Sequence, residues 1–131
     1  MSRFFPDYDP LKFNDTLPPY ADRPFPGVCW MKPQGSTQAF YARLRFTLNE
    51  KTTIRFHVSG DRWFDLRLDG QFITDGPECS DSAHWCYSSF EEELMPGEHE
   101  FFARIVMLPA KLKPWNAMGG NCGFFFFAEA P

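Results

Sequence analysis

Apolar and polar residues alternate with period two through most of the chain between Phe40 and Met107, and this alternation leaves few architectures open. Phe40, Ala42, Leu44, Phe46 and Leu48 fall on one side, and Tyr41, Arg43, Arg45 and Thr47 on the other. Successive side chains of a strand point to opposite faces, so this segment predicts a strand with one buried face. Past the polar turn Asn49-Glu50-Lys51 the pattern returns, with Ile54, Phe56 and Val58 inward and Arg55 and His57 outward. A third run puts Phe64, Leu66 and Leu68 inward and Trp63, Asp65 and Arg67 outward. It ends in Asp69-Gly70, a two-residue hairpin signal, so a return strand is expected over 71–74. After a Pro96-Gly97 turn, Phe101, Ala103, Ile105 and Met107 share one face; residues 122–128 are nearly all apolar and predict a strand buried on both sides. No segment carries a strong helical period. Seven or eight short strands at this spacing predict an all-β fold, an antiparallel β-sandwich of jelly-roll type.

Composition agrees with that reading. Phe accounts for 16 of the 131 residues, and aromatic side chains suit half-buried pleated surfaces. Pro6, Pro10, Pro18, Pro19, Pro24 and Pro26 all fall within the first 27 residues. Each lacks an N–H, so residues 1–27 are expected to form an extended arm in which neither helix nor ladder settles. Phe4, Phe5, Tyr8, Phe13 and Tyr20 are too many aromatics for a solvated tail, and they predict an arm lying against the domain or a neighbouring one. Residues 28–131 are expected to form a single sandwich module.

Several function classes are disfavoured at this level. Thirteen Lys and Arg are interspersed with seventeen Asp and Glu for a formal charge of -4, so no nucleic-acid partner is expected. No apolar run approaches the roughly 18 residues that cross a bilayer, and no membrane partner is expected. The N-terminus lacks the charged-then-apolar layout of a signal peptide, which leaves localisation open. Cys29, Cys79, Cys86 and Cys122 contain no C-x-x-C pair, which argues against zinc; they read as buried thiols, with disulfide pairing as the alternative.

One region is more distinctive. The run Gly60-Asp61-Arg62-Trp63-Phe64-Asp65-Leu66-Arg67-Leu68-Asp69-Gly70 is followed by Asp75-Gly76-Pro77, then His84-Trp85-Cys86-Tyr87, then Leu94-Met95-Pro96-Gly97-Glu98-His99. With Trp30-Met31-Lys32-Pro33 and the strand from Phe40 upstream, this order and spacing resembles the N-terminal β-sandwich of bacterial α-L-rhamnosidases and their relatives. The resemblance covers roughly residues 29–129. It implies a galactose-binding-like jelly roll placed ahead of an α/α-toroid domain that carries the catalytic carboxylates, so the chain is expected to be a non-catalytic accessory module. The family usually shows Asn-Gly at the hairpin, where this chain has Asp69-Gly70.

Glycoside cleavage needs two carboxyl groups held across a bond, one of them with a raised pKa. Nothing in the sequence sets any acid apart for that role, and His57, His84 and His99 carry no triad signature, so no catalytic residue is assigned. Sugar binding asks for less: an exposed ring to stack on a C–H face and a few polar groups for the hydroxyls. Trp63 is outward by parity with Asp61 and Asp65 beside it, and His84, Trp85 and Tyr87 are expected to border the same or an adjacent loop. These six residues are the candidate site for a rhamnose-containing glycan. Core packing, or contact with an adjacent catalytic domain, is the competing reading for Trp85 and Tyr87. No cofactor is expected apart from calcium as a candidate, for which Asp75, Glu78 and Asp81 offer hard oxygen ligands in one loop.

Overall fold

The computed structural model describes residues 1–6, 31–33, 35, 39–76, 87–106 and 123–129. These residues form two four-stranded sheets and no helix. The strands are β1 (Ser2–Phe4), β2 (Ala39–Leu48), β3 (Thr52–Gly60), β4 (Trp63–Leu68), β5 (Gln71–Gly76), β6 (Ser88–Leu94), β7 (Gly97–Val106) and β8 (Phe124–Glu129). The first sheet runs β1-β6-β3-β8 and the second β2-β7-β4-β5, and every pairing is antiparallel. The molecule is an all-β sandwich.

Its topology follows from one turn. Asp69 and Gly70 have φ of 50° and 79°, the positive pair that a type I′ turn requires, and Leu68 pairs directly with Gln71 across it. Around that tip the pairs nest outward: β4 with β5, β3 with β6, β2 with β7, and finally an antiparallel bridge from Met31 to Phe124. The chain is in effect one long hairpin rolled up so that consecutive strands fall in opposite sheets, except β4 and β5. That nesting is the jelly-roll arrangement. β1 lies outside the series, on the far edge of β6.

The alternation read from the sequence gives the core. Ile54, Phe56, Val58, Phe64, Leu66, Leu68, Phe101, Ala103 and Ile105 are buried between the sheets, with Phe90, Leu94 and Phe124. Phe56 stacks on Phe90 with centroids 5.5 Å apart and meets Phe101 edge-on at 4.9 Å. Phe64 lies over Gly60 and Gly76, where any Cβ would run into its ring, so both positions need glycine.

Three expectations are corrected. Ser2 to Phe4 pair with Glu91 to Ser89, so a ladder does form inside the Pro-rich arm; the first proline is Pro6, and the residues before it keep their N–H groups. Residues 7–30 lie outside the described residues. Leu44, inward by parity, is 46% exposed, because edge strand β2 meets there a gap of about 250 Å³ between the sheets, shared with Met31, Phe124 and Phe126. In β8, Phe124 and Phe125 are buried but residues 126–129 are only half-buried, so burial on both sides covers just the start of the strand. All four cysteines lie outside the described residues.

Candidate functional site

On the outer face of the second sheet, pleat and register bring β2, β7, β4 and β5 side chains into rows. Arg104 and Asp75 flank Asp65 in neighbouring strands, and Phe102 and Phe72 flank Arg67. Asp65 is on this outer face, as parity predicts, yet only 4% exposed. Arginines account for that. Arg104 reaches Asp65 Oδ2 through Nε and Nη2, each at 2.8 Å, and Arg67 Nε stands 3.3 Å from Oδ1. Both Arg104 nitrogens converge on one carboxylate oxygen while Arg67 takes the other, so two cations share a single acid. Arg104 also lies over the Trp63 ring, 5.0 Å from its centroid, so the half-buried indole has a cation on one face.

The next row repeats the motif with less cover. Arg45 Nε donates to Glu100 Oε2 at 2.6 Å and Arg43 approaches the same oxygen at 3.7 Å. The bond holds the Glu100 carboxyl below its ordinary range and raises the Arg45 guanidinium. Tyr41 and Phe72 stand exposed, and Tyr41 stacks on Phe102 at 5.5 Å.

At the hairpin tip Asp69 does more than turn the chain. Its Oδ1 accepts the Glu100 N–H at 2.8 Å, and its Oδ2 lies 2.7 Å from His99 Nδ1. His99 Nε2 is 2.8 Å from the Met95 carbonyl. With an acceptor at each ring nitrogen the imidazole is best satisfied carrying two protons, and its pKa is raised, first by Asp69 and then by the Met95 carbonyl. Asn at position 69 would keep the turn but lose the charge.

The outer face of the first sheet is different in kind. His57 and Ser59 are fully buried, Ser89 is 2% exposed and Phe125 is buried. His57 Nδ1 lies 2.8 Å from Ser89 Oγ, and Nε2 faces Glu129 Oε1 at 3.6 Å. Phe4 and Tyr87 meet the imidazole edge-on at 6.1 and 5.8 Å, and Phe127 stacks on it at 6.0 Å. Burial pushes the His57 pKa down, opposed by Glu129. Beside this cluster, at the β1 edge, is a cavity of about 230 Å³ whose described lining is Arg3, Phe4, Phe5, Pro6, Tyr87 and Ser89.

The candidate sugar residues are therefore divided. Trp63 and Asp65 share the second sheet's outer face. Asp61, 6% exposed, sits in the turn before β4, with its N–H donating to the Gly123 carbonyl at 2.9 Å and Oδ2 3.7 Å from Arg62 Nε. Tyr87 belongs to the opposite outer face; His84 and Trp85 lie outside the described residues. Of the calcium candidates only Asp75 is described, and Glu78 and Asp81 are not. Among the described residues no group of three or more His, Cys, Asp or Glu is placed to hold a metal ion. Sequence reasoning missed the Ser89, His57 and Glu129 cluster, since its members come from three strands; the only signal was a His at an outward strand position.

No family model matches the chain, and no curated protein matches it significantly.

Proposed function

We propose that the chain is a non-catalytic accessory module of an α-L-rhamnosidase-like glycoside hydrolase, supporting and orienting the catalytic domain through the outer face of its second sheet. One observation carries the reading. The acids of the distinctive run serve structure: Asp65 is clamped by Arg67 and Arg104, and Asp61 is buried beside Arg62. Among the described residues, neither is placed opposite a second free carboxyl across the span of a glycosidic bond. What the same face does present is Tyr41, Phe72 and half-buried Trp63 among Arg43, Arg45, Arg67 and Arg104. Aromatic residues and arginine are the types that protein interfaces concentrate. The order of motifs that resembles rhamnosidase sandwiches supplies the identity of the partner.

The alternative is a purely structural or protein-interaction sandwich with no sugar ligand. Arg104 stacked on Trp63 favours that reading over a sugar platform at Trp63 itself, because the covered ring face is lost for stacking. To test the proposal, the chain is mixed with the α/α-toroid domain of a rhamnosidase-type enzyme expressed without its sandwich, and association is followed by sedimentation. A one-to-one complex, abolished by Tyr41→Ser with Phe72→Ser, is the expected result. Hydrolysis of an aryl α-L-rhamnoside by the chain alone would overturn the non-catalytic assignment, and absence of any association would leave the purely structural reading.

A further inference from the structure

Strand register lays out the charges of the second sheet's outer face in a definite pattern. Phe102 in β7 stands between Arg43 of β2 and Arg67 of β4, in direct register with both, and Tyr41 stacks on its ring. Each of these arginines belongs to a pair of guanidiniums on one carboxyl. Arg43 and Arg45 share Glu100, and Arg67 and Arg104 share Asp65, so each cluster keeps one positive charge in excess. Donors are in excess as well. Arg43 lies 3.7 Å from Glu100 Oε2, too far for a full hydrogen bond, and that oxygen already accepts from Arg45 Nε at 2.6 Å. Arg45, 72% exposed, engages Glu100 through Nε alone. Asp75 and Glu98 are exposed on the same face, but at its borders: Asp75 is on edge strand β5 and Glu98 beside the Gly97 turn. The centre is therefore an aromatic stack between two cationic clusters. With those border acids and a chain charge of -4, a uniformly negative partner is repelled, and only acids placed opposite the two clusters gain.

Spacing narrows the partner further. Arg43 and Arg67 are two strand spacings apart, roughly 10 Å. Along an extended strand, side chains on one face recur every ~6.8 Å, so acids there fall short of that separation or overshoot it. On an α-helix, positions i and i+7 share a face about 10.5 Å apart, with i+3 and i+4 between them. We propose that this face docks a helix of its partner that carries acids at i and i+7 and apolar residues at i+3 and i+4. The acids pair with Arg43 and Arg67, and the apolar residues cover Phe102 and Tyr41. The inference rests on the docking reading above and names the chemistry of the docked surface.

The experiment titrates the whole chain with a capped helical peptide of about 18 residues, built on Ala and Gln with Glu at i and i+7 and Leu at i+3 and i+4, and follows amide shifts by NMR. Two control peptides replace both Glu by Gln, or move the second Glu to i+4. Saturable binding of the first peptide alone is expected, with shifts centred on Arg43, Phe102 and Arg67, and weakening as salt is raised. Arg43→Gln and Arg67→Gln should each weaken it about fivefold or more. Lys51→Gln, which removes the same charge beside Glu93 on the first sheet, should leave it unchanged. Arg43 makes no full hydrogen bond to Glu100, so its replacement keeps the fold and decides the test even if Arg67→Gln is unstable. The proposal is overturned if the peptide does not saturate, if either control peptide binds as well, or if Lys51→Gln weakens binding as much as Arg43→Gln. The same variants are then mixed with the α/α-toroid domain. Peptide binding without toroid association supports the acidic helix and counts against the rhamnosidase-type assignment. Toroid association that ignores Arg43→Gln keeps that assignment and overturns the acidic helix, so the two ideas fail separately.

Discussion

The two outer faces of this sandwich are built from the same alternation and end up in opposite conditions. On the second sheet Tyr41, Phe72 and the arginines meet solvent, and two arginines converge on each of Asp65 and Glu100. On the first sheet His57, Ser59, Ser89 and Phe125 occupy equivalent outward positions and are buried. Strand pleat decides which way a side chain points, not whether anything covers it. The covered face must satisfy its polar groups internally, whereas the open one leaves much of that to water.

The comparison breaks most readily at His57. His57→Ala removes a buried ring and strands the Ser89 hydroxyl, and a loss of about 2–4 kcal/mol is expected in urea denaturation. Tyr41→Ala, at a matching outward position on the open face, should cost under about 1 kcal/mol. Similar losses at the two positions would mean that the faces are not energetically distinct. A smaller effect is expected at Asp65, a buried acid on the open face: Asp65→Asn leaves Arg104 and Arg67 without their anion and should cost about 1–3 kcal/mol. If that variant is as stable as the parent, the arginine clamp contributes only cover.

The two histidines, His57 on the covered outer face and His99 beside the hairpin tip, have opposite pH responses. His57 has a folded pKa below its ordinary 6.5, so the unfolded chain binds the proton more readily. Its contribution is complete above about 6.5 and is lost as pH falls toward the lowered folded value. Glu129 and Arg55 face the same ring, so the window shifts if either is replaced. His99 has a raised folded pKa; its contribution is complete below about 6.5 and is lost as pH rises through the folded value. Unfolding midpoints measured across this range should show the acid-side loss vanish in His57→Gln, and the alkaline-side loss vanish in His99→Gln and shrink in Asp69→Asn, where the Met95 carbonyl still holds the ring. The smallest effect belongs to Arg45: its exposed pair with Glu100 should leave the unfolding midpoint unresolved from the parent in Arg45→Ala, at low or high salt.

How far these features could be read from the residues follows the range of the forces involved. β2, β3, β4 and β7 were legible because alternation is local, and the Asp69-Gly70 turn because positive φ at two adjacent positions selects few residue types. β1 was not, since three residues carry no period and the prolines beyond them dominate the pattern. Parity put Trp63 and Asp65 on an outer face correctly but gave no warning that Arg104, 39 positions from Asp65, would take both. Nor did it separate Tyr87 from Trp63, because parity names a face within a strand and says nothing of which sheet the strand joins.

The nested hairpin also sets an order of events. Only the tip, Leu68 to Gln71, closes a loop of two residues; each pair outward spans a longer stretch, up to the bridge between Met31 and Phe124. Closing a longer loop costs more entropy, so β4 and β5 form the natural nucleus and the outer pairs zip on afterwards. During synthesis β2 emerges early and then waits for β7 nearly sixty residues later, with its apolar side and unpaired edge open in the meantime. Arg43 and Arg45 are carried by that waiting strand, and such charges are what keep a bare edge from pairing with another copy.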